Sequence, residues 1–333
     1  MSVQELASSP WWLAGGHLQT IWSAKLAIRS KGRAKWRRER WTTPDDDFID
    51  VDWLNPADPQ ALPERPLLVL FHGLEGSSQS HYADAFAHMA AQRGWCMALP
   101  HFRGCSGELN RQPRAYHSGD WQEIDWMLQT LRARHTGPIF AVGVSLGGNA
   151  LMRWAGELGE TAIGRAQAIA SVCSPLDLVA SGMALGQGVN RWIYTPMFLQ
   201  TMRPKARAKW VQYPTLFDLE RALQARTLYE FDDAFTAPVH GFDGVLDYWR
   251  RASAKPHLHQ VALPALALNA RNDPFVPADS LPKRTEVSAC VTLWQPDEGG
   301  HVGFTTGRFP GHLQAMPESV ADWLVQQLGP NHG

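Results

Sequence analysis

The sequence places a candidate nucleophile, Ser145, in the glycine-rich pattern Gly143–Gly147. The apolar run Ile139–Val142 precedes this pattern, and an amphipathic helical pattern, Leu146–Leu158, follows it. A serine between two glycines, at the point where a strand turns into a helix, is typical of a nucleophile elbow. Such a turn presents the hydroxyl at the carboxyl end of the strand. The alternative is a glycine-rich turn with an incidental serine.

A serine hydroxyl becomes a nucleophile only when a base removes its proton and a carboxylate orients that base. Asp273 begins a loop after the strand pattern Ala265–Asn269, and His301 lies in a glycine-rich loop after Val291–Trp294. Because the carboxyl ends of parallel strands meet at one edge of a sheet, both side chains can approach Ser145. The sequence therefore predicts a catalytic triad of Ser145, Asp273 and His301.

Two other carboxylates compete with Asp273 for the orienting role. Asp177 follows the strand pattern Ala168–Val172, but it can equally cap the helix that begins after it. Asp297 lies in the short glycine-bearing loop before His301, which would more naturally turn its side chain to solvent or to the loop backbone. We favour Asp273 and keep the other two as alternatives.

A tetrahedral intermediate also needs hydrogen-bond donors for its oxyanion. The segment His72–Gly76 follows the strand pattern Leu67–Phe71, where one such backbone donor is expected. We assign the oxyanion hole to the N–H groups of Leu74 and Leu146, the second being the residue after the nucleophile. His72 is interpreted as a residue that braces this loop and not as a catalytic base.

Other chemistry has little support in the sequence. Cys105 lies in a glycine-rich loop without the strand and helix of an elbow, so we interpret it as a packed thiol near the site. His257 and His259 form an isolated pair with no third ligand nearby in sequence, so no metal site is predicted. No dinucleotide-binding or Walker pattern is present, and we predict no cofactor.

The elements that must position these residues alternate between short apolar strands and amphipathic helices. This alternation predicts an α/β fold with a mostly parallel twisted sheet and helices on both faces. The predicted strands are Leu67–Phe71, Cys96–Leu99, Ile139–Val142, Ala168–Val172, Ala265–Asn269 and Val291–Trp294. The predicted helices are Tyr82–Gln92, Asp120–Arg134, Leu146–Leu158, Phe242–Ala252 and Ser319–Leu328.

One connection, from Val172 to the next predicted strand, is about 90 residues long, where such connections usually take a few residues and a helix. We expect a helical cap insertion at approximately residues 176–238 within a single domain that spans residues 1–333. Its apolar side chains are expected to supply a substrate pocket, with packing against the main domain as the alternative. The residues assigned to this pocket are Trp192, Tyr194, Met197 and Phe198.

Residues 1–35 are expected to be a lead-in, with an irregular stretch at Trp11–Trp22. The basic run at residues 29–40 is interpreted mainly as an edge strand that turns at Pro44–Asp47 into a second strand, Phe48–Trp53. Edge strands often carry Lys and Arg because charge discourages pairing between sheet edges. A patch that binds membranes or nucleic acid is the alternative for this run.

The composition fits a soluble globular enzyme. The 333 residues are 44% hydrophobic and 19% charged, which excludes a disordered chain, and the net charge of −1 provides no global field for nucleic acid. No apolar run approaches the roughly 18 residues of a membrane span. The 4 cysteines lack metal-site or disulfide spacing and indicate reduced thiols in a cytoplasmic protein.

With these motifs in place, the sequence resembles the YheT-like branch of the α/β-hydrolase superfamily, whose relatives include eukaryotic lipases and phospholipases. The resemblance covers nearly the whole chain and is carried by seven motifs: Gly16–Trp22, His72–Gly76, His101–Gly107, Tyr116–Gly119, Gly143–Asn149, Ser174–Leu178 and Gly300–Phe304. It implies the α/β-hydrolase fold and a serine hydrolase that acts on carboxylic esters, with Ser145, Asp273 and His301 at the triad positions.

The expected activity is that of a carboxylesterase or lipase-like enzyme acting on a small-molecule ester or lipid. An acyltransferase, thioesterase or perhydrolase could use the same triad, and a non-catalytic binding protein with this fold is the alternative from another class. Two features depart from the branch: the turn Asp45–Asp47 replaces an expected Asp-Gly, and the membrane anchor of the eukaryotic relatives is not found.

Overall fold

An eight-stranded sheet lies at the centre of the structure, a computed structural model that describes residues 9–28, 34–54 and 64–328. The spatial order of the strands is β1-β2-β4-β3-β5-β6-β7-β8. Strands β1 and β2 are antiparallel to their neighbours, and β3 to β8 are parallel. The strands are β1 Trp36–Thr42, β2 Phe48–Leu54, β3 Leu67–Phe71, β4 Cys96–Pro100, β5 Ile139–Val144, β6 Ala168–Val172, β7 Ala265–Leu268 and β8 Val291–Trp294.

The central parallel strands are buried along their whole length, as their apolar runs predict. Helices α2 (His81–Gln92) and α11 (Ala315–Val325) cover one face of the sheet. Helices α3 (Trp121–Arg134) and α4 (Leu146–Leu158) cover the other face. The predicted fold class is confirmed, because layers of helix on both faces are what a parallel sheet requires.

The edge-strand interpretation of the basic run is confirmed for its described part. Strand β1 lies at the edge of the sheet, and two of its three arginines pair with carboxylates of β2. Arg38 Nε is 2.7 Å from Asp52 Oδ1, and Arg40 Nε is 2.7 Å from Asp50 Oδ1. These ion pairs neutralise the charge of the strand locally. Arg29, Lys31 and Arg33 lie outside the described residues.

The N-terminal segment differs from the expected irregular lead-in, because Gly16–Lys25 forms helix α1. The residues that α1 buries are polar, namely Gln19, Thr20 and Ser23, so the apolar periodicity that signals a helix is missing from the sequence. Residues 1–8 and 29–33 of the predicted lead-in lie outside the described part of the chain.

Two predicted helices are also corrected. The last described helix spans Ala315–Val325 and not Ser319–Leu328. Helix α10 begins at Val245 and not at Phe242, because Gly244 has a φ of 104° and cannot continue a helix on its N-terminal side.

The long connection between β6 and β7 is helical. It contains α5 (Leu178–Leu185), α6 (Gly188–Gln212), α7 (Leu219–Gln224), α8 (Leu228–Phe231), a π-helical turn (Asp232–Thr236), α9 (Ala237–Val239) and α10 (Val245–Ala252). Side chains of α6 to α8 form a small apolar core of their own around Leu199 and Phe231. Within the described ranges, no helix combines the length and apolarity needed to cross a membrane.

Candidate active site

Ser145 occupies a sharp turn between β5 and α4. Its φ of 53° and ψ of −119° are rarely adopted by a residue with a side chain, and its N–H donates to Val172 O at 2.9 Å. A Cβ on Gly147 would lie 2.5 Å from the carbonyl oxygens of Phe71 and His72. The turn therefore requires glycine next to the serine, as the G-x-S-x-G pattern predicts.

The structure brings Ser145, His301 and Asp273 together. His301 Nε2 lies 3.0 Å from Ser145 Oγ, and His301 Nδ1 lies 2.8 Å from Asp273 Oδ2. The Asp273 side chain is fully buried, and its Oδ1 accepts a hydrogen bond from Phe275 N–H at 2.8 Å. A carboxylate at Nδ1 favours the tautomer that carries its proton there, which leaves the Nε2 lone pair facing the serine hydroxyl. This arrangement can activate Ser145 as a nucleophile.

The two competing carboxylates lie elsewhere. Asp177 Oδ1 accepts from Ala180 N–H at 3.1 Å and caps the N-terminus of α5. The side chain of Asp297 is 95% exposed and lies 3.7 Å from Arg271. Neither contacts His301 among the hydrogen bonds and ion pairs of the described residues.

Two polar residues of α1 hold the loops that carry Asp273 and His301. Gln19 Oε1 accepts from Asn272 Nδ2 and from Gly299 N–H, both at 2.9 Å. Thr20 Oγ1 accepts from His301 N–H, also at 2.9 Å. The sequence alone indicates no role for either residue beyond their place in the motif Gly16–Trp22, and that motif is the one signal that points to this segment.

The backbone around the cavity above Ser145 contains two free donors. The N–H groups of Leu74 and Leu146 have no acceptor in the described part of the chain, and both residues line the cavity together with Ser145. The N–H groups on either side of Leu74 are occupied, because Gly73 donates to Tyr82 Oη at 2.9 Å and Glu75 donates to Tyr116 Oη at 3.0 Å. Leu74 and Leu146 are the residues that the sequence predicts for an oxyanion hole, and their N–H groups are available for that role.

His72 braces the loop after β3. Its ring is completely buried; Nδ1–H donates to Gly73 O at 2.7 Å, and Nε2 accepts from Phe102 N–H at 3.0 Å. Burial lowers the pKa of His72 to about 3, so the ring stays neutral and both nitrogens are already engaged.

The cavity above Ser145 has a volume of about 130 Å³ and a mostly apolar lining. It is bordered by Leu74, Ser145, Leu146 and His301, and its apolar side chains include Leu178, Leu185, Phe198, Met202, Leu228 and Phe231. The lining comes from both the sheet end and the helical insertion. Such a space accommodates the apolar part of a ligand next to the serine hydroxyl.

The pocket assignment needs correction at three of its four residues. Phe198 lines the cavity, but Trp192 and Met197 are 78% and 48% exposed on the outer side of α6. Tyr194 is buried but is not among the residues that line the cavity, and its ring contacts those of His17 and Phe275. The apolar composition of α6 could not reveal which side of the helix faces inward, because apolar residues occur on both sides.

One part of the cavity wall is polar. Lys205 Nζ lies 2.8 Å from Glu75 Oε1 and 3.4 Å from Cys105 Sγ, and Tyr116 Oη donates to Glu75 at 2.8 Å. Burial raises the pKa of the Cys105 thiol to about 12, so the thiolate needed for nucleophilic attack does not form near neutral pH. This agrees with the interpretation of Cys105 as a packed thiol.

Asp232 also lines the cavity, and burial raises the pKa of its carboxyl from 3.8 to about 6. Its oxygens accept from Thr236 Oγ1 at 2.6 Å and Trp249 Nε1 at 2.9 Å, which only partly offset the cost of burying a charge. Below pH ~4 the group is protonated in both the folded and the unfolded chain. As the pH rises to about 6 the unfolded chain ionises first, so Asp232 lowers stability at neutral pH.

We therefore expect Asp232→Asn to raise the melting temperature relative to the wild type by more at pH 7.5 than at pH 4. Thermal unfolding at both pH values measures this difference, with Asp279→Asn at an exposed position as the control. If the gain in melting temperature of Asp232→Asn over the wild type is the same at both pH values, Asp232 is ionised equally in the folded and the unfolded chain.

Comparisons with known proteins place this architecture among known hydrolases. The alpha/beta hydrolase fold family matches residues 66–307. The chain is 38% identical to the Escherichia coli protein "Putative esterase YheT", over 94% of this chain and 91% of that protein. It is 29% identical to human phospholipase ABHD3, over 95% of this chain and 78% of that protein. The solved esterase Pf2001 of Pyrococcus furiosus shares the fold, with a TM-score of 0.52 and 15% identity over 91% of this chain and 100% of that chain.

Proposed function

This chain belongs to the YheT-like branch of the alpha/beta hydrolase superfamily, and on that premise we propose that it is a serine hydrolase that cleaves carboxylic esters. The observation that carries the proposal is the continuous pair of hydrogen bonds from Ser145 through His301 to Asp273. The names of the relatives, an esterase and a phospholipase, support ester bonds as the target.

In the acylation step, Ser145 Oγ attacks the ester carbonyl carbon while His301 Nε2 accepts its proton. The carbonyl oxygen becomes an oxyanion, and the N–H groups of Leu74 and Leu146 donate to it. His301, now protonated, transfers the proton to the leaving alkoxide, and an acyl-enzyme remains on Ser145. Asp273 stabilises the imidazolium by accepting from Nδ1–H throughout.

In the deacylation step, a water molecule takes the position of the departed alcohol. His301 Nε2 removes a proton from this water, the hydroxide attacks the acyl carbon, and the proton returns to Ser145 Oγ as the carboxylic acid leaves. If another alcohol enters in place of water, the same residues transfer the acyl group, which is how an acyltransferase would use this site. No observation favours that alternative over hydrolysis.

We propose that the helical insertion acts as a cap and that the cavity beneath it binds the acyl part of a small ester or lipid. Its apolar lining adjoins Ser145 and His301, so an acyl chain placed there would bring its carbonyl to the nucleophile. A cytoplasmic location stays a prediction from the cysteine pattern.

A fluorophosphonate probe tests the proposed function directly, because it forms a covalent bond only with an activated serine. The wild type is expected to be labelled, and Ser145→Ala is expected not to be. Ser118→Ala, at another serine that lines the cavity, serves as the matched control and should retain labelling. An unlabelled wild type, or equal labelling of wild type and Ser145→Ala, would refute Ser145 as the nucleophile.

Phe198→Ala should shift the preference towards longer acyl chains. Phe198 lines the cavity and packs edge-on against Phe275, whose ring lies 4.2 Å from that of His301. Its removal enlarges the cavity beside the reacting groups, and because the side chain is only half-buried the variant should fold.

The measurement is the ratio of kcat/KM for an eight-carbon and a four-carbon nitrophenyl ester, which we expect to rise several-fold. Met197→Ala, at the neighbouring exposed position, should leave this ratio unchanged. If Phe198→Ala lowers only the melting temperature and keeps the ratio, Phe198 packs the cap and does not bound the acyl site.

A further inference from the structure

An exposed aromatic surface is formed by the turn before α1, by α1 itself and by the loop before α11. The rings of Trp12, Trp22 and Phe309 pack against one another with centroid distances of 5.2 to 5.5 Å. Phe309 is nevertheless 70% exposed, and Trp11 beside this cluster is 93% exposed. Soluble proteins rarely expose contiguous large apolar side chains to water, so we expect this surface to be an interaction site.

A second exposed stripe lies on α6. Val189, Ile193 and Met197 are four residues apart and therefore share one side of the helix, with Trp192 beside them. Their exposed fractions range from 38% for Ile193 to 78% for Trp192. The stripe faces away from the cavity, which the opposite side of α6 lines.

Helix α1 joins the two surfaces. The ring of His17 stacks on that of Tyr194 from α6 at a centroid distance of 5.8 Å, and their polar atoms are 3.2 Å apart. Leu18, which follows His17, is 54% exposed, and Trp22 lies one turn further along the same helix. We call the combined surface, from Trp11, Leu18 and Phe309 to the α6 stripe, the aromatic-basic face.

The charged residues in the segments that build this face are all basic. Lys25, Arg191 and Arg308 are exposed beside its apolar residues, and none forms an ion pair with a carboxylate in the described part of the chain. The segments that build the face, residues 9–28, Gly188–Gln212 and residues 302–317, contain no Asp or Glu at all. The whole chain is balanced, with 31 basic and 32 acidic residues, so the positive character is local.

We propose that the aromatic-basic face docks on the surface of an anionic lipid bilayer. Indole rings settle at the boundary between headgroups and acyl chains, and cations around them attract anionic headgroups. A protein partner would more often present mixed charges to such a face, whereas the absence of Asp and Glu from the three segments that build it suits a uniformly negative surface.

The position of the face gives this docking a consequence for the site. The inner sides of α1 and α6 contact the loops that carry Asp273 and His301. On α1, Gln19 accepts a hydrogen bond from Asn272, and Thr20 accepts one from the N–H of His301. On α6, Asn190 donates to Pro274 O at 2.5 Å. A bilayer on the outer side would therefore lie against the elements that frame the proposed active site. The docking itself does not depend on the proposed chemistry.

Co-sedimentation with vesicles tests the proposal. The vesicles are made of phosphatidylcholine alone or of phosphatidylcholine with about 30% phosphatidylglycerol. The variants are Trp11→Glu, Trp192→Glu and the double variant, at exposed positions where the fold should tolerate charge. The control is Ile163→Glu, a 54% exposed position before β6, at the opposite end of the strands from Ser145.

We expect the wild type and Ile163→Glu to bind the anionic vesicles and to bind phosphatidylcholine vesicles weakly. Each single variant should bind the anionic vesicles at least about fivefold more weakly, since one charge near such a surface has about that effect, and the double variant should lose binding. All should hydrolyse a soluble short-chain ester like the wild type. Ser145→Ala should bind vesicles normally, so docking and the proposed catalysis can fail separately.

Three results would overturn the proposal. The wild type could fail to bind anionic vesicles, or the double variant could bind them as well as the wild type. Alternatively, the wild type could fail to bind vesicles and sediment in solution as a dimer, and Trp192→Glu could dissociate that dimer. The aromatic-basic face would then be an interface between two copies of this chain.

Discussion

Replacing His301 with alanine is expected to lower kcat for a soluble ester by about 10⁶-fold, the loss typical of removing the base from a Ser-His-Asp arrangement. His301 Nε2 is the only ring nitrogen within hydrogen-bond distance of Ser145 Oγ among the described residues. Without it, the hydroxyl keeps its proton and the leaving alcohol has no proton donor. The measurement is steady-state turnover of a short-chain nitrophenyl ester together with the melting temperature.

His88→Ala is the matched control for this experiment, because His88 is a half-buried histidine on α2 with no contact to Ser145 or His301. It should retain wild-type turnover. Activity of His301→Ala within tenfold of the wild type, in a folded protein, would contradict the role of His301 as the base.

Asp273→Asn is expected to keep the fold and to lower kcat by about 10⁴-fold. The amide is nearly isosteric with the carboxylate, but its NH₂ group can face His301 Nδ1. The imidazole would then carry its proton on Nε2, where it cannot accept a proton from Ser145. The fully buried position of Asp273 means that no solvent can compensate for the lost charge.

Two matched controls separate this effect from a general loss of acidic side chains. Asp177→Asn should cost far less activity, since Asp177 caps α5 and asparagine is also a good N-cap residue. Asp297→Asn, at a 95% exposed side chain, should be close to neutral. If Asp177→Asn were the inactive variant and Asp273→Asn remained active, our assignment of the orienting carboxylate would be wrong.

Local patterns in the sequence were sufficient for the sheet and for the position of the serine. Strands β3 and β6 begin and end at the predicted residues, because a strand buried on both faces needs a short, mostly apolar run. The limits of β8, at the edge of the sheet and half-buried at its two central residues, also match the prediction. Helix α4 also has the predicted limits, since glycines mark its start and its apolar residues recur at helical spacing. Both signals come from residues that are neighbours in sequence.

Other features depend on contacts between residues far apart in sequence. Among three carboxylates at strand ends, only Asp273 reaches His301, because loop direction depends on tertiary packing that periodicity does not encode. The role of α1 escaped prediction for a related reason: its buried residues, Gln19 and Thr20, are polar and become interpretable only when the loops near residues 272 and 300 are seen beside them.

The helical insertion has some features that follow from local sequence patterns and others that depend on contacts between residues far apart in sequence. Its length and helical character follow from composition, because about 90 residues without a strand pattern cannot remain a bare loop in a folded domain. The side of α6 that faces the cavity cannot be predicted from composition. Trp192 and Phe198 are both large and apolar, yet one faces solvent and the other faces the cavity. The orientation of α6 depends on the side chains that pack against it, and these come from distant parts of the chain.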